Sequence, residues 1–131
     1  MPAPAIHATT TLSMADAEAR LRDALKTEGF GVLTEVDVQA VMLEKLDEEV
    51  APYRILGVCN PQMAHRAMQA WKAFGLIAPC HVAIYDEGDH REVIAFDPSG
   101  VPEVREHPTL AEIAAQATDG IGRAVRSLAG T

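Results

Sequence analysis

The sequence has little of what would tie it to a nucleic acid, a membrane or an oxidising compartment. Basic residues are few: 11 Lys and Arg stand against 19 Asp and Glu, for a formal net charge of −8. No basic run occurs, and neutralising phosphates needs clustered Lys and Arg, so a nucleic-acid surface is disfavoured. The same shortage disfavours an anionic membrane surface. No apolar run approaches the ~18 residues of a membrane span. Residues 1–5 lack the basic and long apolar regions of a secretory signal, so a cytoplasmic protein is expected. Cysteine is scarce, with only Cys59 and Cys80. In a reducing compartment these read as free thiols, ligands or a redox pair rather than a structural disulfide. Also missing are a phosphate-cradling glycine loop, a Gly-x-Ser-x-Gly nucleophile turn, and the Cys-x2-Cys or His-x3-His spacings of a zinc site.

What is there suits one globular domain. The chain has 131 residues, of which 48% are hydrophobic and 23% charged, enough for a core of its own. Residues 1–5 read as a mobile tail, and residues 6–131 as a single α+β domain. Ile6 to Leu12 is Thr-rich and reads as a strand. Ser13 caps a helix with Met14, Ala17, Leu21, Ala24 and Leu25 on one face, and Gly29 closes it. A second strand, Phe30 to Val36, is followed by a helix capped by Asp37 and running to about Glu49. Cys80 to Tyr85 and Arg91 to Phe96 read as a hairpin across a Glu87–His90 turn. Both hairpin strands are apolar on both faces, so each face needs covering by helices or by a second subunit. The Thr109–Glu112 capping box opens a last helix from Leu110, which Gly120 and Gly122 are expected to kink. The order is β-α-β-α-β-α-β-β-α. It predicts helices packed on a mixed sheet of about five strands, with parallel pairs from the βαβ steps and an antiparallel pair from the hairpin.

The most chemically suggestive stretch is Tyr53 to His65. Tyr53 to Cys59 reads as a strand, Asn60 as an N-cap, and Pro61 as the first residue of a helix running to about Phe74. Cys59 then sits just outside a helix N-terminus, where the macrodipole favours a thiolate. A low-pKa thiol there would attack a disulfide, bind sulfane sulfur or ligate a metal. The bland alternative is a small residue packing the strand-to-helix junction. Cys80, after Pro79, is of interest mainly as a companion to Cys59. A parallel βαβ step would put it about a strand length away, ~17–20 Å, too far for a disulfide; an antiparallel arrangement or a dimer mate would bring it close. His65 falls on the polar side of its helix, and His81 alternates away from Cys80, so no metal site is predicted. Trp71, Met68 and Phe74 read as core.

The Tyr53–Pro61 run, with Gly31-Val32-Leu33, Lys45-Leu46, Ala64, Pro79-Cys80 and Asp97-Pro98, resembles the domain of unknown function 302 family. The resemblance extends roughly from Thr11 to Asp97. It implies a small α+β protein that forms homodimers, and it assigns no catalytic role to any residue. Cys59, Asn60, Pro61 and Cys80 match the family's pattern. The residues therefore support two kinds of function. One is a thiol-based or sulfur- and redox-linked role centred on Cys59. The other is a non-catalytic module in which Cys59, Asn60 and Cys80 line a pocket for a small anion, metal or cofactor, or a purely structural or interaction homodimer. No cofactor is specified.

Overall fold

The computed structural model describes residues 6–131. The expected tail at residues 1–5 lies outside the described residues. Five strands form one sheet: β1 (Ile6–Thr10), β2 (Gly31–Asp37), β3 (Tyr53–Cys59), β4 (Cys80–Asp86) and β5 (Arg91–Ala95). Three longer helices alternate with the first strands: α1 (Met14–Thr27), α2 (Val38–Leu46) and α3 (Pro61–Ala70). A short α4 (Pro102–Arg105) precedes the last helix, α5 (Pro108–Arg126). The chain is thus the α+β fold that the pattern of elements implies.

The sheet order is β1-β5-β4-β3-β2, and every pairing is antiparallel. The parallel pairs expected of the βαβ steps are therefore corrected, and the sheet is antiparallel rather than mixed. The reason lies in the connections. Neither α2 nor α3 carries the chain to the far end of the sheet. Each leaves and returns at the same end, so β2–β3 and β3–β4 are neighbours running in opposite directions.

Alternation along the strands sorts the sheet into two unlike faces. Ile6, Ala8, Leu56, Val58, Val82, Ile84 and Val93 point to one face and are buried. Against them α1 contributes Ala17, Leu21 and Leu25, and α5 contributes Ala117, Ile121 and Val125. Arg54 lies at the end of this face and reaches across to Glu18 on α1, with Nε 2.7 Å from one carboxylate oxygen. Among the described residues, no helix of the core covers the other face. It presents Val36, Ile55, Ala83, Ile94 and Phe96, with Tyr53 and Tyr85 stacked 5.2 Å apart. The expectation that both hairpin faces need cover is met by helices on one side only.

The helix ends follow local chemistry. Ser13 accepts from the Asp16 amide, Asp37 from Ala40 and Asn60 from Met63. Gly29, at φ 85°, takes the left-handed turn that closes α1. Two expected ends move. α2 stops at Leu46 rather than near Glu49, because Asp47 turns left-handed and leaves its acidic neighbours outside the helix. α3 stops at Ala70 rather than near Phe74: Trp71 is extended, and a 3-10 turn over Lys72–Leu76 follows. That break aims Trp71, Phe74 and Ile77 at Val104, Leu110 and Ile113. Met68, expected in the core, is half exposed.

α5 also differs from expectation. Its cap is His107, whose ring nitrogen accepts from the Leu110 amide, with Pro108 at the first helical position. The helix runs unbroken through Gly120 and Gly122. Gly120 is there for contact rather than for bending, since a Cβ would sit 2.9 Å from the Phe30 ring.

Candidate functional site

The strand-to-helix turn at Cys59 is built as its residues dictate. β3 ends at Cys59, Asn60 is extended with its Oδ1 3.1 Å from the Met63 amide, and Pro61 opens α3. The cap consumes most of what the helix end has to offer a ligand. Pro61 has no N–H, Met63 is held by Asn60, and Ala64 bonds the Asn60 carbonyl at 2.9 Å. Among the described residues, only the Gln62 amide of that turn is left for an anion.

The antiparallel register places Cys80 opposite Val58. Cys80 is therefore one residue away from Cys59 across the ladder, and the strand-length separation of a parallel unit does not arise. Cys80 goes with Val82 and Ile84 to the helix-covered face, and Cys59 stands at the last position of β3, where the strand passes into the turn. Both are free thiols, and each is partly buried. The neighbourhood is too crowded for larger residues: a Cβ on Gly57 would come within 2.2 Å of the Thr34 hydroxyl and 3.0 Å of the Pro79 ring.

Both thiols line one cavity of about 80 Å³ at this end of the sheet. Its floor includes Phe30 and Val58, and its walls come from α3 (Met63, Ala67) and α5 (Ile113, Ala117). Among the described residues no charged side chain lines it, and Asn60 is its one polar member, already committed to its cap. The cavity exists because α3 leaves the sheet at Asn60 and leans on α5, while the Trp71–Ile77 segment folds back beneath it.

The electrostatics run against the expected thiolate. Burial pushes the Cys59 thiol up. Burial also pushes Cys80 up, to about 11, with the charges of Cys59 and Asp97 adding to the effect. Loss of hydration is the leading cause at both thiols. Asp97 itself is pushed up by burial, but bonds from the Ser99 hydroxyl and amide and from Thr118 outweigh this and hold it below its usual range. Both thiols thus stay protonated near neutral pH.

The histidines stay out of the site. His65 and His81 are exposed, and among the described residues no three His, Cys, Asp or Glu side chains are placed to hold a metal ion. No described helix is long and apolar enough to cross a membrane.

The comparisons with known proteins agree on where this chain belongs. A family model, "Domain of unknown function DUF302", matches residues 6–128. The chain belongs to the DUF302 family. A solved structure of a DUF302 protein, the "uncharacterized conserved protein DUF302 from Bacillus stearothermophilus", is 30% identical with a TM-score of 0.84. The match covers 95% of this chain and 98% of that one, so the DUF302 fold is shared from end to end. No curated protein matches the chain. Several residues of this cavity escape a reading of the sequence: Met63, Ile113 and Ala117 look like ordinary helix stripe, and only the antiparallel order of β3 and β4 brings them round Cys80.

Proposed function

We propose that the chain is a non-catalytic binding module whose apolar cavity takes a small uncharged molecule, or the apolar end of a larger one. The observation that carries this is the cavity wall, which includes two protonated thiols and no charge. Attack on a disulfide or an electrophile needs the thiolate, and burial withholds it from both cysteines. A thiol-based role is the weaker reading for that reason. What still favours it is that two free thiols line the same cavity.

The cavity has about half the ~150 Å³ of an engineered cavity that accepts benzene or xenon. Xenon is therefore a fitting probe. Amide NMR shifts under xenon pressure should move at Ala67, Ile113 and Cys80, and Ala114→Leu, which fills the wall, should abolish them. Shifts absent at these residues, or unchanged in the filled variant, would dismiss the binding reading.

The module works as a homodimer in this proposal, joined through the helix-free face of the sheet. A wet antiparallel face ought to be polar; this one carries Ile55, Ala83, Ile94 and Phe96. Beside it α2 has no buried residue and exposes Val41, Leu43 and Leu46. Apolar surface this continuous marks a contact site, and an isologous pairing covers it with a single patch. Sedimentation at micromolar concentration should give twice the 14.1 kDa chain mass, and Phe96→Arg should return the monomer. Two free thiols suit a reducing compartment, so we place the protein in the cytoplasm.

A further inference from the structure

The helix-free face is not uniformly apolar. At its β1 end a carboxylate is wedged between two imidazoles. Glu92 contacts His7 through one oxygen and His90 through the other, the latter at 3.0 Å, and the Thr9 hydroxyl approaches at 3.4 Å. The far nitrogen of His90 meets Asp89 at 2.6 Å. The result is a chain of alternating carboxylates and imidazoles, Asp89–His90–Glu92–His7, that joins the β4–β5 turn to the edge strand. The register fixes its place. Glu92 lies opposite Thr9 and Tyr85, and His7 opposite Ile94, all on the open face. The Glu92 side chain is only 18% exposed even with that face open.

Resting on the open-face homodimer, we propose that the His7–Glu92–His90 cluster makes its assembly dependent on pH, with protons taken up as the two copies meet. Covering the face removes water from the cluster. With neutral imidazoles, Glu92 and Asp89 leave two negative charges there, and a carboxylate that loses hydration without a cation is costly. With imidazolium on both sides the cluster is neutral, and the cost falls. Among the described residues, the groups facing it from the neighbouring elements supply no cation in contact with Glu92. Tyr85 and Glu87 come from β4 and the turn, and Thr9 from β1. Arg91 lends some charge to Asp89 but is paired with Asp86 at 3.2 Å. The hydrogen bonds of Asp89 first and Glu92 second already favour the charged form of His90, so the free chain is poised for the change. The whole chain, at −8, adds repulsion of the same sign as pH rises.

The test is a dilution series by sedimentation velocity on the full chain at pH 5.5, 6.5, 7.5 and 8.5 and constant ionic strength. Uptake of one proton per protomer steepens the dimer Kd by up to about 100-fold per pH unit, weaker at higher pH. Glu92→Gln should keep the dimer and flatten the slope. His7→Gln with His90→Gln should flatten it as well, which guards against misfolding of either variant alone. A dimer whose Kd is flat with pH, or tightens as pH rises, overturns the proposal while the dimer stands. Retention of the full slope in Glu92→Gln also overturns it. A monomer at every pH, or a dimer untouched by Phe96→Arg, removes the open-face reading and the proposal with it.

Discussion

At the scale of single residues, the two thiols are the sharpest case. Position alone points to an activated Cys59, since it stands at the start of a capped helix. The surrounding atoms point the other way, because both sulfurs have lost water and the capping side chain has taken the amide that would face an anion. Alkylation of the native protein should therefore be slow at pH 7.5 for both. The Cys80 rate should keep climbing towards a midpoint near 11, against ~8.5 for an unperturbed thiol. An alkylation midpoint below 7 at either cysteine would restore the nucleophile. Gly120 gives a second test at this scale. A methyl group there meets Phe30 at 2.9 Å, whereas at Gly31 it meets open space. Gly120→Ala should cost about 1–3 kcal/mol of unfolding free energy in urea, and Gly31→Ala should change little.

At the scale of elements, most of what local chemistry controls was legible. Ser13, Asp37, Asn60-Pro61 and Gly29 mark helix ends through their own side chains or backbone freedom, and the structure uses them so. What escaped was set by distant partners. Nothing near Trp71 says that α3 ends there; Val104, Leu110 and Ile113, far along the chain, draw that segment out of the helix. Nothing near Gly120 says that a glycine in mid-helix is there for a ring to rest on. The direction of β4 was unreadable for a like reason, because a helical connection between strands is compatible with a return to either end of the sheet. The candidate site shares this divide: its turn was legible, its cavity was not. The Asn60 cap is where the two meet. Asn60→Ala should lower stability by about 0.5–2 kcal/mol, measured by urea unfolding. It should also loosen the first turn of α3, raising amide exchange at Gln62, Met63 and Ala64 above that of residues on α5.

At the scale of the whole molecule, one ion network ties the first helix to the sheet, and its pH dependence has a definite sign. Arg54 on β3 grips Glu18 on α1 through two nitrogens, and Arg22 bridges the same carboxylate and Glu35. The Arg54 hydrogen bond is the main reason the Glu18 carboxyl is held below its usual value of 4.5, with Arg22 helping and burial opposing. A carboxyl that ionises more easily folded than unfolded binds fewer protons in the native state. Its contribution is then fully present above the unfolded value near 4.5, and it is lost as pH falls through the lower folded value. Glu18→Gln keeps the shape of the side chain and removes the charge. At pH 7 the variant should be less stable by about 1 kcal/mol, a partly exposed pair being worth less than a buried one. Between pH 5 and 3 the gap should close, as wild type loses what the variant never had. The network lies on the helix-covered side of the sheet and the His7–Glu92–His90 cluster on the open side, so the Glu18 gap reports on folding and not on assembly. Urea unfolding of wild type and Glu18→Gln across pH 3–7, at a dilution that holds both monomeric, reads that gap alone. A gap that stays constant down to pH 3 would show that Glu18 titrates alike in both states.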